Sequence, residues 1–435
     1  MINVLKEMIL DAQRRVIYTG IKRDIKVSFI KSKATVCIGV RRCGKSTYSF
    51  QIMEKLIKSG VKKENILYIN FFDNRIHSID KKGLSDVTEA YFSIYPQKKN
   101  AETVYCFFDE IQEVEGWESF VERILRTEKC EVFITGSSAK MLSKEIATQM
   151  RGRALSWELF PFSFNEYLRF SGINYQVNLA AKERLIVQKV FEQYWECGGF
   201  PEVAGLSKQL RIKIHQEYFN AILFKDLIER HNIAHPKAVK DLAQWLIDNN
   251  ASLYSINNLT GYLKALGHTV PKSAVSEYLD FFEDAYFLFT VKIFDASLAR
   301  KNTNPKKIYC IDHSFANSVS SGILHNIGHL LENLVYITLR RRTPDIHYYK
   351  TKSGKEVDFI AKNSDKKYIL VQVCETLVDP QTKKRETASL IEAMSEMEIK
   401  SSFIVTKETE ETIETESGVI NVMPMWKFLL EMDKE

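Results

Sequence analysis

The sequence predicts an α/β protein built on a parallel sheet and continued by a helical stretch and smaller α/β modules. Three observations carry that prediction. Short, nearly continuous apolar runs alternate with helical patterns from residue 34 to about residue 170, as in parallel sheets whose strands are buried on both faces. A glycine-containing turn bearing Lys45 and Ser46 sits between the first such run and the first helical pattern. Beyond residue 251, two short helices, a hairpin pattern and a second strand–helix alternation follow.

Taken in order, the first strands are expected at 34–40, 66–72, 103–108 and 132–135. The helix at 46–59 places Phe50, Met53, Leu56 and Ile57 at core spacing. Residues 180–250 show helical periodicity alone, broken most clearly at Gly198-Gly199-Phe200-Pro201. Helices are then expected at 256–266 and 271–284, turned at Gly267-His268, with Pro271 near the start of the second. Strands at 286–294 and 307–311 follow, joined by a polar loop containing Asn302, Asn304 and Pro305. A helix at about 327–342 and strands at 346–351, 356–361 and 368–374 complete the reading. The expected domains are 1–170, a helical segment 171–250, a helix-turn-helix module 251–315 and a C-terminal α/β domain 316–435.

Composition removes several classes. With 45 % hydrophobic and 27 % charged residues in a chain of 435, the protein has the balance of an ordinary globular fold. The uncharged stretch 313–331 is rich in Ser, Asn, Gly and His, so no membrane span is expected. Glu7 and Asp11 interrupt the apolar run of the N-terminus, which therefore does not read as a signal peptide. Seven cysteines without a C-x-x-C pair predict no disulfide framework, and the expected location is the cytoplasm. The net charge of +6 is unevenly spread: residues 1–50 hold 11 basic and 3 acidic side chains, as befits a face near an anionic ligand.

The strongest chemical signal is Gly39-Val40-Arg41-Arg42-Cys43-Gly44-Lys45-Ser46, a match to G-x-x-x-x-G-K-[ST] between a strand and a helix. Glycines let successive N–H groups of such a loop point at a phosphate, and the helix N-terminus adds positive potential. Lys45 is expected to reach the β- and γ-phosphates and Ser46 to hold Mg²⁺, with Thr47 closing the nucleotide-binding set. Val104-Tyr105-Cys106-Phe107-Phe108 then delivers Asp109 and Glu110 at a strand end. Asp109 is expected at the metal and Glu110 as the base that deprotonates the attacking water. Ser137, in the Ile134-Thr135-Gly136-Ser137-Ser138 stretch, is the candidate γ-phosphate sensor. Arg151 and Arg153 are candidates for stabilising transition-state charge, in cis or from a neighbouring subunit. Cys43 reads as a spacer whose thiol could make nucleotide binding oxidation-sensitive. The histidines, including His325 and His329 at i, i+4, lack zinc-ligand spacing.

Together these residues resemble an AAA+-type ATPase family of bacteria and archaea, with an N-terminal P-loop domain and a C-terminal domain of unknown function. The resemblance rests on 39–47 with Arg41-Arg42, on 107–110, 134–139 and 151–153, on Pro161-Phe162-Ser163-Phe164-Asn165-Glu166-Tyr167, and on 354–359 and 370–374. It implies ATP as the nucleotide and hydrolysis on an AAA+-like sheet. No guanine-reading N-K-x-D motif is present.

Two accessory modules follow. The helix-turn-helix and hairpin look like a winged helix, a common DNA reader. Its second helix carries Lys272 against Glu277, Asp280, Glu283 and Asp284, which phosphates would repel. Any DNA contact is therefore expected through the wing, at Lys292, Arg300, Lys301, Lys306 and Lys307. The last third resembles a PD-(D/E)xK nuclease-like fold, with Glu332 on a helix and Asp358 on a strand. The expected (D/E)-x-K is Gln372-Val373-Cys374, so cleavage is expected to fail unless Lys350, Lys352 or Lys355 substitutes. The leading expectation is Mg²⁺-dependent hydrolysis of ATP coupled to rearrangement of C-terminal modules that hold DNA, a protein partner or a second copy. A nucleotide-gated binding module with little turnover is the alternative, and an ATP-regulated nuclease a third class.

Overall fold

The apolar runs of the first half become strands because each can be buried on both faces only inside a sheet covered by helices. A computed structural model describes residues 1–77, 79–137, 150–174, 180–322, 326–362 and 367–432. Helix α1 (Ile2–Arg14) precedes β1 (Ala34–Ile38), α2 (Lys45–Lys58), β2 (Ile66–Asn70), α3 (Leu84–Ile94), β3 (Val104–Asp109), α4 (Trp117–Thr127), β4 (Cys130–Gly136) and β5 (Ala154–Glu158). The five strands form one parallel sheet in the order β2-β3-β4-β1-β5. β4 thus stands between the strand that feeds the phosphate loop and the strand that ends in the carboxylates. β5 has no counterpart among the expected strands. Its Ala-Leu-Ser-Trp-Glu sequence is half-buried throughout and lacks the continuous apolar run of an inner strand.

In the second half, α5 (Phe164–Phe170) starts at a reciprocal cap: Ser163 accepts from the Glu166 N–H while Glu166 accepts from that of Ser163. Then come α6 (Ala181–Cys197), α7 (Lys208–Ala221) running into a π-helical segment Ile222–Glu229, and α8 (Pro236–Asp248). The break at 198–201 is a close approach: a Cβ on Gly199 would lie 2.4 Å from the Phe162 carbonyl oxygen. Next are β6 (Leu253–Tyr254), α9 (Ile256–Ala265), α10 (Lys272–Asp284), β7 (Leu288–Val291), α11 (Leu298–Thr303) and β8 (Lys306–Cys310), with the strands in an antiparallel sheet β6-β8-β7. The polar loop expected between the hairpin strands is therefore partly the helix α11, begun by the Ser297 hydroxyl accepting from the Arg300 N–H.

The chain closes with α12 (His313–Val319), α13 (Ile327–Arg340), β9 (Ile346–Lys350), β10 (Glu356–Lys362), β11 (Tyr368–Val373), α14 (Pro380–Met397), β12 (Ser401–Thr406), β13 (Glu411–Thr415), β14 (Gly418–Pro424) and α15 (Met425–Met432). Their sheet runs β13-β14-β12-β11-β10-β9. Val357, Ile360, Leu370, Leu390, Met394 and Ile404 share its core.

Contacts divide the chain once, into Met1–Leu159 and Phe160–Glu435. The 161–167 stretch thus lies in the second unit. Within that unit the two sheets are joined: the Phe294 N–H donates to Tyr348 O at 2.7 Å, and the Tyr348 N–H to Lys292 O at 3.1 Å. Among the described residues, no helix is long and apolar enough to cross a membrane.

Candidate functional site

The loop from Gly39 to Gly44 leaves β1 at the end of the sheet where β3 delivers its carboxylates. In open α/β sheets, ligands bind at the carboxyl ends of strands where the order of connection reverses. Strand β1 stops at Ile38 because Gly39 passes close to the chain after β5: a Cβ there would meet the Leu159 carbonyl oxygen at 2.1 Å. Gly44 is left-handed (φ 102°) and caps α2, whose first residues are Lys45 and Ser46. Arg42 is also left-handed (φ 68°) and exposed, and Arg41 lies 6.0 Å from the Phe72 ring. Val40 and Cys43 are buried, while Thr47 is half-buried.

Lys45 is 4 % exposed, and its ammonium is folded onto its own loop. It donates to Gly39 O at 3.1 Å and Val40 O at 3.2 Å, and lies 3.6 Å from Glu110 Oε1. Burial works against that charge, but Glu110, Cys43, Cys37 and Asp109 hold the lysine pKa above its ordinary value. Glu110 sits in the left-handed region (φ 53°), and Gln112 donates to its Oε2 at 2.5 Å. Asp109 is 1 % exposed. Tyr68 donates to its Oδ2 at 2.9 Å, and the Thr135 and Ser46 hydroxyls also bond it. Burial and the neighbouring Glu110 raise the Asp109 pKa, and those three hydrogen bonds pull it back.

Sequence reasoning passed over three of these supports. Tyr68 gives no signal in its own run. Thr135 was within reach, because β3 and β4 pair Phe108 with Ile134 and so put Thr135 beside Asp109. Arg23, far upstream, is buried and donates from one guanidinium nitrogen to Cys43 O at 2.8 Å, bracing the loop. A cavity of about 610 Å³ opens between α1, α2 and β2 and meets this site at Thr47 and Tyr68.

Other expected residues fall elsewhere. Ser137 is buried just past β4, and Ser138 and Ala139 lie outside the described residues, as does His325. Arg151 and Arg153 flank the turn that enters β5; the Ala34 N–H donates to Arg153 O at 2.7 Å. Since β5 runs parallel to β1 with Ala34 opposite Ala154, both arginines are at the edge opposite the phosphate loop, roughly 13 Å of strand away. The register of β5 thus does not bring either arginine to the phosphate loop of its own chain. Cys43 is fully buried and burial raises its thiol pKa, so it is not the reactive thiolate an oxidation-sensitive loop needs.

Lys307 is also misplaced by the sequence reading. It is 4 % exposed, not on a wing surface, and its ammonium lies 2.8 Å from Glu332 Oε1 and 2.9 Å from both Glu356 Oε1 and Asp358 Oδ1. The lysine expected on a wing is instead the lysine of the C-terminal acidic cluster, which Lys352 and Lys355 do not enter and whose Glu356 Lys350 reaches only from 3.9 Å. Lys355 instead reaches Glu392, and the Lys352 N–H bonds Glu396.

A parallel five-stranded sheet with a phosphate loop on one strand and an aspartate–glutamate pair two strands away defines an AAA-type P-loop domain. Residues 31–168 match the model of an AAA domain, 188–324 a domain of unknown function (DUF8612) and 327–428 a second one (DUF4143). The chain is 35 % identical over 421 residues to an uncharacterized protein of Methanocaldococcus jannaschii, covering 94 % of this chain and 91 % of that one. It is 30 % identical over 339 residues to an uncharacterized protein of Haemophilus influenzae, with 78 % and 81 % covered. The chain belongs to the family of these proteins, an AAA domain followed by domains of unknown function. Among solved structures, it is similar to a Walker-type ATPase of Pyrococcus abyssi at a TM-score of 0.42 and 14 % identity, covering 66 % of this chain and 90 % of that one.

Proposed function

We propose that the protein is a Mg²⁺-dependent ATPase whose hydrolysis of ATP to ADP and phosphate drives rearrangement of its C-terminal modules. The observation that carries this reading is the convergence of Lys45, Ser46, Asp109 and Glu110 around one loop at the start of α2. Ser46 and Asp109 already hydrogen-bond each other, so hydroxyl and carboxylate fit one shared cation. These two would hold Mg²⁺, which neutralises phosphate charge when bound. Lys45 exchanges its two loop carbonyls and Glu110 for phosphate oxygens. Glu110, released from the ammonium, takes a proton from the attacking water as the new oxygen–phosphorus bond forms and the bond to the ADP oxygen breaks. The Lys45–Glu110 pair thereby keeps the base occupied until a phosphate draws the lysine away. The same pairing favours the second reading, a nucleotide-gated module with little turnover.

The C-terminal modules are read as holding DNA or a protein. Lys292, Arg300, Lys301 and Lys306 on and around the hairpin are at least partly exposed and are the residues proposed to face DNA. Steady-state ATP hydrolysis with and without single- and double-stranded DNA tests the scheme. A rate raised several-fold by DNA and lost in Lys45→Ala and Glu110→Gln is expected. A slow rate indifferent to DNA, with ATP held tightly, would favour the gated module.

A further inference from the structure

Metal-dependent phosphodiester cleavage needs acidic oxygens turned toward one point where a divalent cation sits, with a lysine beside it. The last third of the chain supplies the oxygens. Glu332 comes from α13 and Asp358 from β10, both buried, and Glu356 lies two residues before Asp358 on the same face of that strand. The point they share is filled from another sheet. Lys307 reaches in from β8, and its ammonium spends its three hydrogens on Glu332, Asp358 and Glu356 at 2.8, 2.9 and 2.9 Å. Tyr309 donates to the same Glu332 oxygen at 2.6 Å, and the Val373 N–H takes the second Asp358 oxygen at 2.9 Å.

The third strand closes the case against a metal. Gln372 stands where a further carboxylate is needed, and its amide is committed: the oxygen accepts from the Asp358 N–H at 3.2 Å and the nitrogen donates to Glu386 at 2.8 Å. Among the described residues, no group of three or more His, Cys, Asp or Glu side chains is arranged to hold a metal ion. With the Lys307 ammonium at the point the carboxylates share, the side chains present do not fit a divalent cation.

We infer that the Lys307 ammonium takes the place of the divalent cation, making this a metal-free ion cluster that clamps β8 to α13 and β10 and cuts no phosphodiester. The clamp joins two segments expected from sequence to be separate modules, so it also fixes how the three-stranded sheet is carried on the six-stranded one.

The test uses the full chain without nucleotide, titrated with Mn²⁺ and followed by electron paramagnetic resonance. Wild type and Asp358→Asn are expected to take up the same amount of Mn²⁺. Lys307→Ala is expected to gain one bound ion, lost again when Asp358→Asn is added. With plasmid or single-stranded DNA and Mg²⁺ or Mn²⁺, wild type is expected to cut no faster than Asp358→Asn. Mn²⁺ held by wild type and lost in Asp358→Asn overturns the inference, as does a folded Lys307→Ala that gains none. Cleavage by wild type that vanishes in both Asp358→Asn and Lys307→Met overturns it too, and makes Lys307 the lysine of a working nuclease. If Lys307→Ala does not fold, the comparison of wild type with Asp358→Asn decides alone.

Discussion

Replacing Lys307 with Met tests how much the buried cluster matters to the second unit. The variant keeps most of the side-chain volume and removes the charge, leaving Glu332 and Asp358 buried without their shared cation. Breaking a buried ion pair from one side costs about 3–5 kcal/mol, because the charge left behind is uncompensated. For a unit of this size that corresponds to a Tm lower by roughly 6–20 °C. The loss has a pH signature. Burial and the Asp358 charge raise the Glu332 carboxyl to about 7, even with Lys307 pulling it down. The folded wild type therefore binds a proton at Glu332 that the unfolded chain has released, and the contribution of this group to stability falls as pH rises from about 4.5 to about 7, then levels. Without the ammonium the carboxyl titrates higher, so the variant goes on losing stability beyond pH 7 and its gap from wild type widens between pH 7 and 9. Urea unfolding at several pH values, followed by the fluorescence of Trp195, Trp245 and Trp426, reads both effects. Adding Glu332→Gln should recover only part of the loss, since Asp358 and Glu356 still lack the ammonium they share with Glu332. A loss under about 1 kcal/mol, or a gap that stays constant with pH, would refute the account of Lys307 as a buried, paired cation.

Three further outcomes are expected in the AAA domain. Gly39→Ala puts a Cβ 2.1 Å from Leu159 O and must displace the loop by about 1 Å, so affinity for a fluorescent ATP analogue should fall about 100-fold while the melting temperature moves far less. Tyr68→Phe deletes one of the hydrogen bonds that hold Asp109, and the Mg²⁺ concentration for half-maximal hydrolysis should rise about fivefold, the equivalent of about 1 kcal/mol. Arg23→Met removes the donor to Cys43 O and should weaken nucleotide binding roughly tenfold by isothermal titration, a cost within the range for a charged hydrogen bond. Unchanged affinity in Arg23→Met would show that the loop holds its shape without that brace.

The fold class was legible wherever burial acts on contiguous residues. Strands β1 to β4 are short apolar runs, and a run buried on both faces can be recognised without knowing its neighbours. β5 was not legible, because an edge strand only half-buried along its length needs no apolar run; it is a strand only by its register with β1. In the same way α11 hid in a polar loop, as a six-residue helix with no buried residue has no periodic face to display.

What the sequence determined alone is the chemistry that sits on adjacent residues: the glycines, Lys45 and Ser46 of one loop, and Asp109-Glu110 at one strand end. Their spacing is set by covalent geometry, so reading it requires no knowledge of the sheet. Only the tertiary structure decided which distant side chains complete those groups. Placing β4 between β1 and β3 puts Thr135 on Asp109, and the parallel register of β5 carries Arg151 and Arg153 to the far edge. Lys307 shows the reason most plainly. Its local setting, among Lys292, Arg300, Lys301 and Lys306, reads as a solvated basic surface, yet three carboxylates 25 to 51 residues away in sequence take it into the interior. Local pattern records how a residue alternates with its neighbours, whereas a buried charge goes where its counter-charges are, and that is fixed by how the sheets meet.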